Sequence, residues 1–486
     1  MSDRPNILFI NTDQHTWDVI SAYGNTHVKT PHIDRLHNNG ISFMRSYSSD
    51  PVCAPARASW MTGRYTSEAG TPFNGGHLHE DIPDLGQILQ QSDHRAIHCG
   101  KWHVDGRNGY DSFDVLYYGQ QRIGAGGGEY YDAAMTHAVV DFLTTYDKTD
   151  PFYLQVWYVN PHDICEYGHN FETKEMPDAI TRGMLTEKDL PPLPDNFNYD
   201  TRETVLHRVC RRIDECLIHW PILRAMKTWD ERQWRTFIWH HHRFVEKVDG
   251  EIGLILTALE QSGLADNTAI IFSVDHGEAF GQHQMFQKFS LYEASIRVPF
   301  IVSSLGHNLN IPKGAFDHKH FVSGVDLLPT VCDYAGIDPP EHARGMSVRP
   351  LVEGRDIPWR DFGFVESNYW GRALLFDRYK YVCEYIPYGD KKDLLPPGPD
   401  PERIGLEQIF DLKNDPGETQ NLAYDENKRA LLIQCRQALL NFEAGLERRR
   451  ITHERPTRQI GNWGQRIRAH WDAHPELEAM RISPTN

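Results

Sequence analysis

The chain has 486 residues, of which 40% are hydrophobic and 24% are charged, values that are ordinary for a folded globular protein. Its 50 lysines and arginines stand against 67 aspartates and glutamates, which gives a formal charge of −17. This balance argues against broad binding to nucleic acids or anionic membranes, which needs a basic surface, but it allows a locally basic pocket for an anionic substrate.

The start of the chain predicts a strand rather than a targeting segment. Residues 6–10 form an apolar run that is too short for the hydrophobic region of a secretory signal. No apolar run elsewhere approaches the roughly 18–20 residues that a membrane helix needs. We therefore expect a cytoplasmic protein without a membrane partner, or a periplasmic or secreted one if a leader has been removed. The eight scattered cysteines predict free thiols rather than a disulfide framework.

Three apolar runs predict buried parallel strands at residues 6–10, 152–159 and 268–274, and polar residues follow each of them. Between them lie helical patterns, for example residues 244–259, which carry an apolar stripe. Strands that alternate with helices predict an α/β fold with a large doubly wound mixed sheet flanked by helices. Because ligands of such folds bind beyond the carboxyl ends of the strands, the polar residues there indicate a site.

The pattern of apolar residues along the sequence changes after about residue 360. Short apolar runs at 372–376 and 379–383 predict a smaller antiparallel sheet, followed by a helix over 428–448. We therefore divide the chain into three parts, each with its predicted role: a catalytic α/β domain at 1–360 with an insertion at about 165–240, a small C-terminal α+β subdomain at 361–448, and a surface-wrapping tail at 449–486.

The sharpest local motif is Cys-Ala-Pro-Ala-Arg at residues 53–57, followed by Thr-Gly-Arg at 62–64. Pro55 at a predicted first helical turn places Cys53 where a helix dipole favours anions. The motif resembles that of the sulfatase family, whose members carry Cys-x-Pro-x-Arg and then Thr-Gly-Arg. The resemblance implies that a maturing enzyme oxidises Cys53 to formylglycine (3-oxoalanine), an aldehyde that hydrates to a geminal diol.

The resemblance extends over nearly the whole chain, because further elements of the family follow in the expected order. They are Arg4-Pro5-Asn6-Ile7, Thr30-Pro31-His32-Ile33-Asp34, Gly100-Lys101-Trp102-His103, Asn160-Pro161-His162, Asp275-His276-Gly277-Glu278, Lys288, Tyr292-Glu293, Arg297-Val298-Pro299, Phe410-Asp411-Leu412, Asp415-Pro416, Glu418 and Asn421-Leu422.

The resemblance implies a site for one divalent cation. Its ligands would be Asp13, Asp275, His276 and the modified Cys53. Hard oxygen ligands favour Ca²⁺ or Mg²⁺, with Ca²⁺ as our first expectation, and the histidine leaves Mn²⁺ open. A sulfate ester is an anion, so its attack by a nucleophile needs concentrated positive charge, which such a cation helps to supply.

The resemblance also implies roles for five other residues. Arg57 would steady the formylglycine, and Lys101 and Lys288 would bind the sulfate oxygens. One diol hydroxyl would attack sulfur while His162, as general acid, protonates the departing alcohol. His103 would then take the proton from the remaining hydroxyl, so that the aldehyde reforms and sulfate leaves.

One position departs from the commonest family pattern. Many members have two adjacent aspartates after the first strand, where this chain has Asp13 followed by Gln14. Together with the Asp275-His276 pair, this is similar to the branch of choline sulfatases and phosphonate monoester hydrolases. Whether Gln14 binds the metal stays open at this point.

Two other functions compete with a sulfatase that acts on a sulfated small molecule or saccharide. The first is a phosphonate monoester or phosphate diester hydrolase with the same cofactors, but Lys101 and His103 favour sulfate. The second is a non-catalytic protein that binds sulfated ligands, which would not need the predicted acid–base pair. The sequence leaves the alcohol open; sulfated carbohydrates are our first expectation, and homo-oligomerisation through the tail is also open.

Three other features of the sequence lead to weaker predictions. The run His240-His241-His242 predicts a solvent-exposed helix surface rather than a metal site, because consecutive helical positions point in different directions. Trp102 lies between two predicted site residues and is a candidate for the pocket wall. His15 is a weaker candidate for contact with the substrate.

Overall fold

The computed structural model describes residues 4–119, 127–147, 150–165, 186–211, 228–387, 398–451 and 458–483. The strands of this part of the chain are, in order, β1 (Asn6–Asp13), β2 (Gly40–Phe43), β3 (Ser46–Tyr47), β4 (Arg95–Lys101), β5 (Asp114–Gly119), β6 (Phe152–Pro161), β7 (Thr268–Val274), β8 (Phe300–Ser303), β9 (Ala315–Asp317), β10 (Val322–Ser323), β11 (Phe362–Ser367), β12 (Gly371–Phe376), β13 (Tyr379–Tyr385) and β14 (Ile404–Asp411).

The α-helices of the described residues are α1 (Pro31–Asn38), α2 (Cys53–Thr62), α3 (Thr66–Ala69), α4 (Leu85–Leu89), α5 (Gly128–Thr145), α6 (Val205–Arg211), α7 (Glu231–Gln261), α8 (Glu293–Ile296), α9 (Leu327–Ala335), α10 (Arg349–Val352), α11 (Arg429–Ala444), α12 (Arg458–Ala473) and α13 (Glu476–Met480).

Among the described residues, eight strands form one mixed sheet in the order β5-β4-β6-β1-β7-β8-β2-β9. The strands from β5 to β7 are parallel, whereas β8 runs antiparallel to both β7 and β2. β1 lies in the middle, with Ile7 paired to Tyr153 of β6 and to Ala269 of β7. The carboxyl ends of β1, β4, β6 and β7 therefore meet at one edge, and this edge carries the candidate site.

Both faces of the large sheet are buried against helices, which explains why its central strands are predominantly apolar. Helices α1, α5 and α7 cover one face, with buried side chains that include Leu8, Ile10, Ile33, Met135, Val156, Ile252 and Phe272. Helices α2, α4 and α9 cover the other face, with Ile7, Phe9, Trp60, Leu85, Trp157, Ile271 and Leu328. Burial of each such large apolar side chain contributes about 1.5–3 kcal/mol to folding.

The smaller sheet is antiparallel, with the order β11-β12-β13-β14. One set of its side chains packs on α11 through Leu432, Cys435 and Leu439. The other set belongs to a cluster that includes buried residues of the predicted tail, among them Trp463 and Ile467 of α12. The C-terminal helices therefore contribute side chains to the hydrophobic core.

The predicted fold class is confirmed, because a large mixed α/β sheet flanked by helices is accompanied by a small antiparallel sheet and a helix. The helix predicted at 244–259 is longer, since it begins at Glu231, where Asp230 caps it. The division into domains stays a prediction, and much of the insertion expected at 165–240 lies outside the described residues.

Two expectations about the whole chain can be compared with the described residues. Cys53, Cys99, Cys165, Cys332, Cys383 and Cys435 are free cysteines within the described ranges. None of the helices in the described ranges is long and apolar enough to span a bilayer.

Candidate active site

The candidate site forms where four strands of the large sheet end. Asp13 is the last residue of β1, and Asp275 and His276 follow β7 directly. Lys101 ends β4. Cys53 is the first residue of α2, which ends at Gly63 in a left-handed conformation (φ 65°). The parallel pairing of the strands thus brings side chains from distant parts of the sequence to one place.

Arg57 joins the two aspartates of the site. Its Nη2 donates to Oδ2 of Asp13 at 2.8 Å and to Oδ2 of Asp275 at 3.0 Å, and its Nε donates to the same oxygen of Asp275 at 3.2 Å. Its Nη1 donates to the carbonyl oxygen of Lys101 at 3.1 Å. Arg57 is fully buried, one turn after Cys53 on α2, so it fixes the helix against both carboxylates.

The second oxygens of the two carboxylates face a different set of atoms. Oδ1 of Asp13 lies 3.9 Å from Nε2 of His276, and Oδ1 of Asp275 lies 3.8 Å from it. Sγ of Cys53 is 3.1 Å from the same nitrogen. These four ligand atoms all lie within 4.8 Å of one another, and all four residues are buried. Two carboxylate oxygens and an imidazole nitrogen fit a divalent cation, with position 53 as a further donor.

Cys53 lies among positively charged groups. Nζ of Lys288 is 2.9 Å from its sulfur. Burial by itself raises the pKa of the Cys53 thiol, but Lys288, Lys101, His276 and His103 together outweigh burial and hold that pKa well below its ordinary value. The side chains of His103 and His162 also interact with Cys53. Position 53 is therefore a place where negative charge is stabilised.

Lys101 makes a short ion pair with Asp13, with 2.6 Å between Nζ and Oδ2. Burial and the neighbouring Cys53 raise the pKa of Asp13. The positive charges of Lys101, His162 and Arg57 lower it by more, so that the net pKa lies below its ordinary value. Asp13 is thus held as a carboxylate, the form that binds a cation.

His162 follows β6 and is fully enclosed. Burial, and then the positive charge of Lys101, lower the pKa of His162 to about 4, so the ring is neutral at pH 7 without an anionic ligand. An anion bound beside Lys101 and Lys288 would offset their charges and raise this pKa. A bound anion would therefore favour the protonated form of the His162 ring.

Gln14 adopts a left-handed backbone (φ 63°), which turns the chain sharply after Asp13. Its N–H donates to Oδ1 of Asp275 at 3.1 Å. Its side-chain oxygen accepts from Nζ of Lys288 at 3.1 Å, and its side-chain nitrogen donates to Oε2 of Glu278 at 2.5 Å. The side chain of Gln14 thus joins the loop after β7 to Lys288.

The structure brings together every residue predicted for the site, although the role of each stays a prediction. The solvent-exposed position predicted for the histidine run is wrong for His241 and His242, which are buried on α7. His241 lies one turn before Val245 on the apolar stripe, and this spacing could have revealed its burial. Its Nε2 lies 3.0 Å from the carbonyl oxygen of Gln14, so it supports the loop after β1.

The sequence also left open two other candidates for the pocket wall. Trp102 is fully buried in the core, where it stacks on Trp157 with ring centroids 5.8 Å apart. His15 is fully buried too, with Nε2 located 2.9 Å from the carbonyl oxygen of Val19. Trp102 is therefore part of the hydrophobic core and His15 supports the backbone, so neither residue lines a pocket.

Comparisons with known proteins agree with this arrangement. A Delta 4,5-hexuronate-2-O-sulfatase from Bacteroides thetaiotaomicron is 28% identical over 464 residues, which are 90% of this chain and 89% of the relative. An arylsulfatase from Clostridium perfringens is 26% identical, over 91% of this chain and 95% of the relative.

Solved structures share the fold. A 2-O GAG sulfatase superposes with a TM-score of 0.73 at 26% identity, covering 90% of this chain and 92% of that one. The phosphonate monoester hydrolase of Agrobacterium radiobacter has a TM-score of 0.71 at 22% identity, covering 91% of this chain and 96% of that one. At this level of identity, the similarity is one of fold. The model of the Sulfatase family matches residues 5–337, well over half of the chain. The chain therefore belongs to the Sulfatase family of sulfuric ester hydrolases.

Proposed function

We propose that this sulfatase hydrolyses the sulfate ester of a carbohydrate to an alcohol and inorganic sulfate, with a formylglycine made from Cys53 as its nucleophile. The observation that carries the proposal is the buried environment of position 53. Sγ lies 2.9 Å from Nζ of Lys288 and 3.1 Å from Nε2 of His276, beside Lys101. These groups suit an oxyanion at position 53 and a sulfate group beside it.

The metal site we propose consists of Asp13, Asp275, His276 and the formylglycine oxygen at position 53. The donors that converge there in this structure support a hard divalent cation. We propose Ca²⁺ as the resident ion, with Mn²⁺ or Mg²⁺ as the alternatives. When bound, such an ion supplies positive charge that offsets the charge of the transferring group and acidifies a hydroxyl.

The other side chains around position 53 position the ligands, bind sulfate and transfer protons. Arg57 holds Asp13 and Asp275 in place through its guanidinium group. Lys101 and Lys288 bind the sulfate oxygens. His162 gives a proton to the departing alcohol oxygen, and His103 accepts a proton from position 53 when sulfate leaves.

The carbohydrate substrate is proposed from the relatives. The hexuronate-2-O-sulfatase and a second relative from the same organism, an N-acetylglucosamine-6-O-sulfatase, are named for sulfated sugars. Both match this chain over most of its length, at 28% and 26% identity. Choline sulfate and aryl sulfates follow as candidates.

Two measurements on protein produced together with its maturing enzyme test the proposal. The tryptic peptide of residues 46–57 should weigh about 18 Da less than its cysteine form, because oxidation replaces the thiol by an aldehyde. Elemental analysis should find about one equivalent of calcium, since the donors form a single cluster. An intact thiol despite a competent maturing enzyme would exclude the covalent mechanism, and manganese or magnesium would reassign the ion.

The substrate assay uses sulfated mono- and disaccharides, choline sulfate, an aryl sulfate and a phosphonate monoester. We expect the highest kcat/KM with a sulfated sugar. A phosphonate ester as the best substrate would instead support the second candidate, a phosphonate monoester hydrolase. Binding without turnover by formylglycine-containing protein would point to a sulfated-ligand binder.

Replacement of His162 by alanine should have an effect that depends on the leaving group. Without the general acid, a sugar sulfate should lose kcat by roughly 10²–10⁴-fold, because its alkoxide is a poor leaving group. An aryl sulfate with an acidic phenol should lose far less, since the phenolate leaves without protonation. Steady-state kinetics with both substrates test this, and equal losses would assign proton donation to another residue.

A further inference from the structure

The side chain of Gln14 lies between two groups of opposite hydrogen-bonding character. On one side it donates from Nε2 to Oε2 of Glu278 at 2.5 Å, and on the other its Oε1 accepts from Nζ of Lys288 at 3.1 Å. Nζ of Lys288 in turn lies 2.9 Å from Sγ of Cys53. A continuous chain of polar contacts thus runs from Glu278 to the reacting position.

The chemistry of the two neighbours determines the orientation of the amide. The ammonium group of Lys288 only donates hydrogen bonds, so it needs the amide oxygen of Gln14 as its acceptor. The two carboxyl oxygens of Glu278 accept from the N–H of Gln287 and from the amide nitrogen of Gln14. The nitrogen of Gln14 must therefore face Glu278 and its oxygen must face Lys288. In the flipped orientation, the amide nitrogen would point at the ammonium group and the oxygen at the carboxylate, leaving donor against donor and acceptor against acceptor.

Glu278 itself is held firmly in place. Its side-chain Oε1 accepts from the N–H of Gln287 at 2.6 Å. Its own N–H donates to Oγ1 of Thr16 at 3.0 Å, and that hydroxyl donates back to the carbonyl oxygen of Glu278 at 2.9 Å. Glu278 is fully buried, and these contacts come from two separate loops. Its carboxyl group therefore has a fixed position beside the amide of Gln14.

We propose that Glu278 is a positioning residue that acts through Gln14: it orients the Gln14 amide so that the amide oxygen holds Lys288 beside position 53. The proposal rests on the function proposed for Lys288, which is to bind a sulfate oxygen. Lys288 has a long side chain with many rotamers, and an acceptor in a fixed orientation limits them. Glu278 thereby fixes the position of the Lys288 ammonium group without contacting it directly.

The decisive variants exchange the two side chains. In Glu278→Gln, the new amide keeps its oxygen on the N–H of Gln287 and turns its nitrogen toward Gln14, which must flip and present a donor to Lys288. In the double variant Gln14→Glu with Glu278→Gln, the amide at 278 donates to a carboxylate at 14, whose other oxygen accepts from Lys288. The exchange keeps the total charge and restores every donor–acceptor pair.

Binding of inorganic sulfate, measured by calorimetry, and the separate values of kcat and KM provide the readouts. Glu278→Gln should weaken sulfate binding by about ten-fold and lower kcat/KM by roughly 10–100-fold, the usual effect of losing a hydrogen bond to a charged group. The double variant should recover to within about three-fold of the wild type, as expected for directly coupled residues. Gln14→Glu alone should be impaired, because two carboxylates then face each other.

Glu384→Gln is the matched control. Glu384 is also buried and accepts from backbone N–H groups, those of Val205 and Leu206, but it belongs to the small sheet. Its replacement should leave sulfate binding and kcat/KM unchanged. Unchanged sulfate affinity in Glu278→Gln, or a double variant no better than that single variant, would overturn the positioning role. Wild-type protein that fails to bind sulfate would instead contradict the function proposed for Lys288.

Discussion

Cys53→Ala should abolish hydrolysis while leaving the fold intact. We expect kcat for sulfate esters to fall by roughly 10⁴–10⁶-fold, because the remaining groups bind and polarise the ester but supply no nucleophile. The substitution removes a single sulfur atom at the start of α2 and leaves Arg57 bound to Asp13 and Asp275. Kinetics with a sulfated sugar, together with thermal unfolding, separate loss of chemistry from loss of structure.

Cys332→Ala provides the control for this experiment. Cys332 is a fully buried cysteine on α9, within the core on the α2 side of the large sheet. Its replacement should lower the thermal stability modestly through a small cavity and leave kcat unchanged. Residual activity of Cys53→Ala above about one per cent of the wild type would show that another group attacks sulfur, since loss of a covalent nucleophile costs far more.

Lys380→Met should destabilise the protein by about 3–5 kcal/mol, the usual cost of removing one partner from a buried ionic group. Lys380 is fully buried on β13. It forms ion pairs with Glu293, at 3.2 Å, and with Glu418. Without the ammonium group, two buried carboxylates would face each other. Unfolding in guanidinium chloride measures the loss, and Lys413→Met, at an exposed position, should change little.

The loss should depend on pH in a defined direction. Burial raises the pKa of Glu418 to about 7 even beside Lys380, compared with 4.5 as its ordinary value. A carboxyl group with a higher pKa in the folded state binds more protons there, so its contribution to stability is lost as the pH rises from about 4.5 through 7. Removing the Lys380 ammonium group raises the folded-state pKa of Glu418 further, so the extra loss of stability in Lys380→Met should be smallest near pH 5 and largest near pH 8.

A second substitution tests the origin of that loss. Adding Glu418→Gln to Lys380→Met removes one of the two facing carboxylates but keeps an oxygen that accepts from the N–H of Glu293, a bond of 2.6 Å in the wild type. The double variant should recover about 1–2 kcal/mol at pH 8, because less uncompensated charge stays buried. Equal stabilities of the single and double variants would show that the loss comes from packing instead.

The parallel strands and the helix that begins at Cys53 could be predicted because their signals are local. Residues 268–274 are predominantly apolar, as is usual for a strand buried on both faces, and β7 has these bounds. Pro55 in the first turn and Gly63 at the end bracket α2. The solvent-exposed position predicted for the histidine run on α7 is wrong for His241 and His242. Whether a polar helical position faces solvent or a buried loop depends on the rest of the fold.

The sequence by itself determined the family, the fold class and the set of chemically competent residues, since motif spacing and apolar periodicity follow from the order of residues along the chain. Only the tertiary structure decided which atoms meet. Gln14 and Glu278 are 264 positions apart, yet their side chains are in contact because β1 and β7 are adjacent parallel strands. Lys380 of β13 likewise meets Glu293 of α8 and Glu418, although the three residues are far apart in the sequence. Such contacts depend on strand order and loop geometry, which no local pattern of residues encodes.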